Sequence, residues 1–171
     1  MIVWIGLGGN LGEVRSTLRA ALRELDHGAC RLQAVSSLWK TRPFGPLDQP
    51  DFLNAVARVA TALAPGDLLD VVKVVERRLG RWPRERWRER ELDLDLLLAL
   101  EDGPVLAAGP RLTLPHAGLC ERGFVLAPLL ELDPGARDPR DGHELQADWT
   151  RLQAQEPDAV RHMEDPGWCR S

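Results

Sequence analysis

An α+β fold, with a mainly antiparallel sheet and helices packed on it, is what this sequence predicts. Three observations carry the prediction. Segments of period two and segments with apolar residues every three or four positions interleave in the order strand, helix, strand, strand, helix, strand. The chain has 171 residues, enough for one domain with a sizeable core. Its 44% hydrophobic and 28% charged content is ordinary globular composition.

The elements follow in order. "IVWIGLGGN" reads as a short buried strand ending in a glycine turn. Leu11, Val14, Leu18, Leu22 and Leu25 then recur at helical steps. "AVSSLWKT", residues 34–41, reads as a second strand. "RPFGPLDQPD" holds three prolines and a glycine, so it is expected to be an ordered loop. "FLNAVARVAT", residues 52–61, alternates and predicts a third strand. Pro65 suits the first position of a second helix, Asp67 its first turn, Arg77 and Arg78 its last turn, and Gly80 its cap. "RWPRERWRERE", residues 81–91, is expected to be a mobile loop, and "LDLDLLLAL" a fourth strand. Short extended pieces lead to "RLTLPH", followed by a helix around 122–132. This order predicts a ferredoxin-like sandwich with helices on one face of the sheet. The expected organisation is one domain over residues 1–171. Residues 133–171 are expected to form a loosely structured extension with one short helix near 144–154.

The net charge of −4 and pI near 5.6 argue against nucleic-acid or membrane-surface partners. No apolar stretch is long enough to cross a bilayer. The N-terminus lacks the basic start of a signal peptide. Cys30, Cys120 and Cys169 are odd in number and widely spaced, which fits free thiols in a reducing cytoplasm.

Asp93 and Asp95 carry the clearest chemistry. On a strand they point the same way, roughly 6.6 Å apart along the chain. They can then share hard cations, while Leu92, Leu94, Leu96 and Leu98 anchor the other face. The alternative is an ordinary solvent-facing edge whose acids pair with Arg86 or Arg90. The arginine loop before them is either a solvated charged surface or a phosphate-binding element. Trp82 and Trp87 within it are cation–π partners or apolar pieces of a lid. "GLGGNLG" breaks the dinucleotide fingerprint, because Leu11 stands where the third glycine belongs. It better suits a close approach of backbone to a ligand. His116 has no second histidine at metal-ligand spacing.

Five segments in order resemble the 6-hydroxymethyl-7,8-dihydropterin pyrophosphokinases of folate biosynthesis. They are "GLGGNLG", "TRPFGPLDQPDFLNAV", "GRWPRERW", "RELDLDLLL" and "RLTLPH" with "RGFVLAPLLEL", spanning about residues 2–132. The resemblance implies pyrophosphoryl transfer from ATP to the pterin hydroxymethyl group, with release of AMP. It implies that Asp93 and Asp95 hold two Mg²⁺. Phe52 and Phe124 would sandwich the pterin, Asn54 would bond its edge, and Thr41, Arg42 and Phe44 would meet its remaining polar groups. Arg81, Arg90, His116 and Arg122 would contact ATP, with Glu76 and Arg111 further on the nucleotide side. Arg81, Arg90, Asp93 and Asp95 would serve the chemistry itself. A monomer is expected, with only these small molecules as partners. This chain departs from the family at Gly9, where serine is usual, at Phe52, where tyrosine is frequent, and at Arg88 and Glu89, which replace glycine and proline. Residues Arg84, Arg86 and Trp87 fall in the same loop.

Overall fold

The computed structural model describes residues 1–43, 48–82, 88–163, 165 and 167–169. Phe44, Arg84, Arg86 and Trp87 lie outside them. The sheet is antiparallel throughout its described pairings. β1 (Ile2–Gly9) lies between β5 (Asp93–Leu100) and β4 (Phe52–Thr61). The far edge of β4 pairs with both β2 (Cys30–Val35) and β3 (Trp39–Thr41). If β2 and β3 count as one broken strand, this is the split β-α-β order of a ferredoxin-like sandwich.

The break between β2 and β3 falls inside the segment expected to be one strand. Ser36 is 1% exposed, and its Oγ accepts the Val56 N–H at 2.9 Å. A side chain thus takes a backbone ladder bond, and the pairing cannot run through. The expected 52–61 strand is found with those bounds.

Two helices cover one face. α1 (Val14–Leu25) and α2 (Pro65–Arg78) bury Leu18, Leu22, Leu25, Leu68, Val72 and Val75 against Val3, Ile5 and Leu7 of β1. Each leucine so buried contributes about 1.5–3 kcal/mol. Pro65 opens α2 at a position where its missing N–H costs nothing, and Gly80 follows its end at φ +92°.

The other face is also covered, which the expected one-sided sandwich lacked. α3 (Gly123–Leu132) is buried from Val125 to Leu130, and α4 (Leu145–Gln155) adds Leu145. Together they enclose Trp4, Val56, Leu97 and Leu98. The register of β5 on β1 slips between Trp4 and Ile5, so that Ile5 pairs with Leu96 and Trp4 with Leu98. Leu97 is the extra residue of this bulge. The slip turns Leu98 to the α3 side, whereas strict alternation puts it with Leu94 and Leu96. The bulged Leu97 carbonyl accepts the His116 N–H at 2.7 Å, tying in the segment that follows the small hairpin β6 (Ala107–Ala108) and β7 (Thr113–Leu114).

Among the described residues, parts of the segment after α4 are tied to the sheet, beyond what the Pro, Gly and Asp content suggests. β8 (Val160–His162) pairs with β3, and Met163 N–H donates to the Leu38 carbonyl at 2.9 Å. Trp168 is 3% exposed and donates Nε1–H to the Ser36 carbonyl at 2.8 Å. The physical reason is an available strand edge on β3 together with a few apolar anchors. No helix among the described residues is long and apolar enough to cross a membrane.

Candidate active site

The site grows from strand alternation on the α3 face. Phe52 and Asn54 share that face of β4, Gly6 and Gly8 that of β1, and Asp93 and Asp95 that of β5. Gly8 pairs with Asn54 on one side and Asp93 on the other, and Gly6 with Val56 and Asp95. The middle strand therefore presents no side chain between the two functional strands. The glycines of "GLGG" lie within β1 and not in the turn expected there. Space, rather than a turn, explains Gly8: a Cβ there would come 2.8 Å from Asn54 Oδ1. Gly9 meets a similar limit, since its Cβ would come 2.6 Å from the Glu91 carbonyl.

A cleft of about 570 Å³ opens over this floor. Its lining includes Thr41, Arg42, Phe52, Asn54, Arg81, Arg90, Asp93, Asp95, His116, Arg122 and Phe124. Asn54 is 6% exposed and donates Nδ2–H to Thr41 Oγ1 at 2.9 Å. That bond turns its amide oxygen toward the β1 floor. Arg122 lies over the Phe124 ring at 5.8 Å, a cation–π contact at the start of α3. Gly118 makes room for it, because a Cβ there would sit 2.5 Å from Arg122 Nε.

The acidic end is a chain of charges. Glu76 of α2 is 3% exposed and accepts from Leu94 N–H at 2.7 Å, from Lys73 Nζ at 3.0 Å and from the Arg81 guanidinium. Arg81 also reaches Asp93 Oδ1 at 2.5 Å, and Arg90 Nη1 reaches Asp93 Oδ2 at 2.5 Å. Burial pulls the Arg81 pKa down, and the carboxylates of Asp93 and Glu76 outweigh it, so the net shift is upward. Arg90 is held by its backbone too, donating N–H to Asn10 Oδ1 at 3.0 Å. Asp95 faces His116, with Oδ2 3.9 Å from Nε2. Burial lowers the His116 pKa below its ordinary 6.5, against the pull of Asp95. Gly118 N–H donates to His116 Nδ1 at 3.0 Å, which assigns the ring proton to Nε2, on the cleft side.

Two of the expected nucleotide residues, Glu76 and Arg111, are not among those lining this cleft. Glu76 lies beneath the cleft as the brace of Arg81. Arg111 pairs with Asp70 of α2 at 2.5 Å, with both side chains largely exposed. Other lining residues escaped sequence reasoning: Glu121, then Trp149, Leu152 and Gln155 along α4, Glu156 at its end, and Val160 of β8. Gly123 carries the local sign of that contact, since its Cβ would meet Val160 Cγ2 at 3.1 Å and Trp149 Cζ3 at 3.2 Å. Sequence spacing alone could not say which side of the sheet α4 would cover.

Paired carboxylates suited to hard cations, guanidinia suited to phosphates and an aromatic pair with an amide at its edge mark a nucleotide-dependent phosphotransferase acting on a flat polar ring. Residues 4–134 match the family model of 7,8-dihydro-6-hydroxymethylpterin-pyrophosphokinase (HPPK). The chain belongs to that family. It is 46% identical over 144 residues to a 2-amino-4-hydroxy-6-hydroxymethyldihydropteridine pyrophosphokinase of Pseudomonas aeruginosa, covering 84% of this chain and 86% of that one. The Haemophilus influenzae protein of the same description is 42% identical over 130 residues, covering 75% of this chain and 79% of its own. A solved HPPK-DHPS structure from Plasmodium falciparum shares the fold at a TM-score of 0.71 and 14% identity, covering 94% of this chain. This chain spans about half of that one, 46%.

Proposed function

We propose that this cleft transfers the pyrophosphoryl group of ATP to the hydroxymethyl oxygen of 6-hydroxymethyl-7,8-dihydropterin, releasing AMP. One observation carries the assignment of residues: Phe52, Asn54 and Phe124 line the same cleft as Asp93, Asp95 and four arginines, across a floor left bare at Gly8.

The chain's own groups divide the work. Phe52 and Phe124 hold the ring, each stacking contact contributing about 0.5–1.5 kcal/mol beyond burial. Asn54, braced by Thr41, bonds the ring edge and so orients the hydroxymethyl arm toward the acidic end. Arg81, Arg90 and Arg122 stabilise phosphate charge, and His116 offers its Nε2–H as a neutral donor. An incoming triphosphate competes with Asp93 for the guanidinia of Arg81 and Arg90. The two carboxylates supply hard oxygen donors on one strand face, which fits two Mg²⁺ held by Asp93 and Asp95. Those ions would neutralise phosphate charge as it develops. Little covalent help is needed, since alignment and charge stabilisation carry this class of transfer. The proposed working unit is a monomer. Its three free thiols support a reducing, cytoplasmic setting.

Incubation with the reduced pterin alcohol and MgATP should release AMP, one per pterin consumed. Calorimetry should show Phe124→Ala weakening pterin binding while leaving an unhydrolysable ATP analogue within twofold of the parent. Equal losses for both ligands would overturn the ring assignment.

A further inference from the structure

Away from the cleft, a second set of ligand-type side chains meets where the 3-10 turn Leu119–Glu121, the coil at 138–143 and the first turn of α4 converge. Cys120 Sγ, His143 Nε2 and a carboxylate oxygen of Asp148 all lie within 4.8 Å of one another. Sγ stands 4.0 Å from Nε2, and Nε2 stands 2.6 Å from Asp148 Oδ2. We propose that Cys120, His143 and Asp148 form a binding site for a zinc-class divalent cation, with water completing a fourth position. The proposal concerns a different part of the molecule from the transfer site and does not depend on it.

The ligand types select the cation. One thiolate, one imidazole and one carboxylate make a borderline set that suits Zn²⁺ or Co²⁺ and is a poor match for Mg²⁺. The spacing is close to that needed. With Zn–S near 2.3 Å and Zn–N near 2.0–2.1 Å, tetrahedral ligand atoms stand roughly 3.3–3.6 Å apart. The Sγ–Nε2 gap must close by a few tenths of an ångström, and the Nε2–Oδ2 contact must open by about as much again.

The surroundings already orient the ligands. Asp141 Oδ1 holds His143 Nδ1 at 2.7 Å and the His143 backbone N–H at 3.1 Å. This carboxylate–imidazole pair fixes the ring with Nε2 against Asp148 and within 4.0 Å of Cys120 Sγ, as outer carboxylates do for metal-bound histidines. Asp138, 0% exposed, is gripped by Arg140 and accepts from Cys120 Sγ at 3.0 Å. Arg140 itself comes 3.4 Å from Sγ, while its other bonds go to Asp138.

The same surroundings argue against a nucleophilic cysteine. Burial and the bond to Asp138 push the Cys120 thiol up to about 12, so at neutral pH it keeps its proton despite the nearby imidazole. A divalent cation takes the place of that proton and of the one His143 Nε2 shares with Asp148: the S–H and N–H bonds break, S–metal and N–metal bonds form and two protons pass to solvent, with no change of oxidation state. Cys120 directly precedes the cleft residues Glu121 and Arg122, and Asp148 directly precedes Trp149. A bound cation would therefore fasten α4 to the 3-10 turn behind the cleft wall.

The test is a Co²⁺ titration of the metal-stripped full chain in millimolar Mg²⁺, which occupies hard carboxylates such as Asp93 and Asp95. The expected result is a thiolate-to-cobalt charge-transfer band that saturates at one equivalent and is displaced by Zn²⁺. Cys120→Ser should abolish the band, His143→Gln should weaken cobalt binding at least tenfold, and Asp95→Ala should leave both unchanged. Zn²⁺ should raise the melting temperature of the parent and not of Cys120→Ser. Absence of the band in the parent, or its survival in Cys120→Ser, overturns the proposal.

Discussion

Gly8→Ala should damage pterin binding far more than stability. The added methyl would lie 2.8 Å from Asn54 Oδ1, roughly 0.7 Å inside ordinary carbon–oxygen contact. The obstruction is the end of a side chain, so the amide can yield without moving the sheet. The expected stability loss is therefore at the low end for overpacking, about 1 kcal/mol. Asn54 cannot yield for nothing. Its Nδ2–H is bonded to Thr41 Oγ1 at 2.9 Å, and a displaced amide loses either that bond or its bond to the ring edge. One such bond, lost with a buried partner left unsatisfied, costs about 1–3 kcal/mol, or roughly 5- to 150-fold in affinity. Calorimetry with 6-hydroxymethylpterin should show that loss, an unhydrolysable ATP analogue should bind within about twofold of the parent, and thermal melting should report the fold. The reasoning is refuted if pterin affinity is unchanged, or if the nucleotide affinity falls equally.

Asp95→Ala should lower AMP formation by at least ~10²–10³-fold. Its melting temperature should stay within a few degrees of the parent, because the carboxylate is 36% exposed and stands beside a like charge; near-normal turnover would remove the role assigned to it. Glu76→Ala leaves Leu94 N–H, Lys73 and Arg81 without their shared acceptor, so urea denaturation should show a loss of about 3–5 kcal/mol. A loss under about 1 kcal/mol would mean the brace is dispensable. The two histidines should titrate on opposite sides of 6.5 in an NMR experiment. Burial holds His116 below it, while bonds to Asp148 and Asp141 hold His143 above it. By linkage, the His116 contribution is present above pH 6.5 and lost as pH falls through its folded pKa. The His143 contribution is present below pH 6.5 and lost as pH rises through its folded pKa. The same order of titration in both would contradict these surroundings.

Much of this fold is legible because its signals are local. The alternation of residues 52–61 specifies β4 to the residue, and Pro65 with Gly80 brackets α2. Alternation also pairs Phe52 with Asn54 and Asp93 with Asp95 without reference to any other strand. The break at Ser36 and the bulge at Leu97 are not legible. Each depends on a partner strand, Val56 in one case and the Trp4–Ile5 step in the other. The role of Gly8 is likewise hidden, since it rests on a contact with a residue 46 positions away in the chain.

By itself the sequence determined which face of each strand carries charge, which residues cap the helices and which acids stand together. These follow from backbone geometry over a few residues. Only the tertiary structure decided that the strand faces close into one cleft over a floor left bare at Gly8. It alone placed α4 and β8 on the cleft wall, set Glu76 as the brace of Arg81 and paired Arg111 with Asp70. The physical reason is that these outcomes depend on which distant surfaces bury one another, and a side chain's partner across a sheet leaves no mark on its own neighbours in the chain.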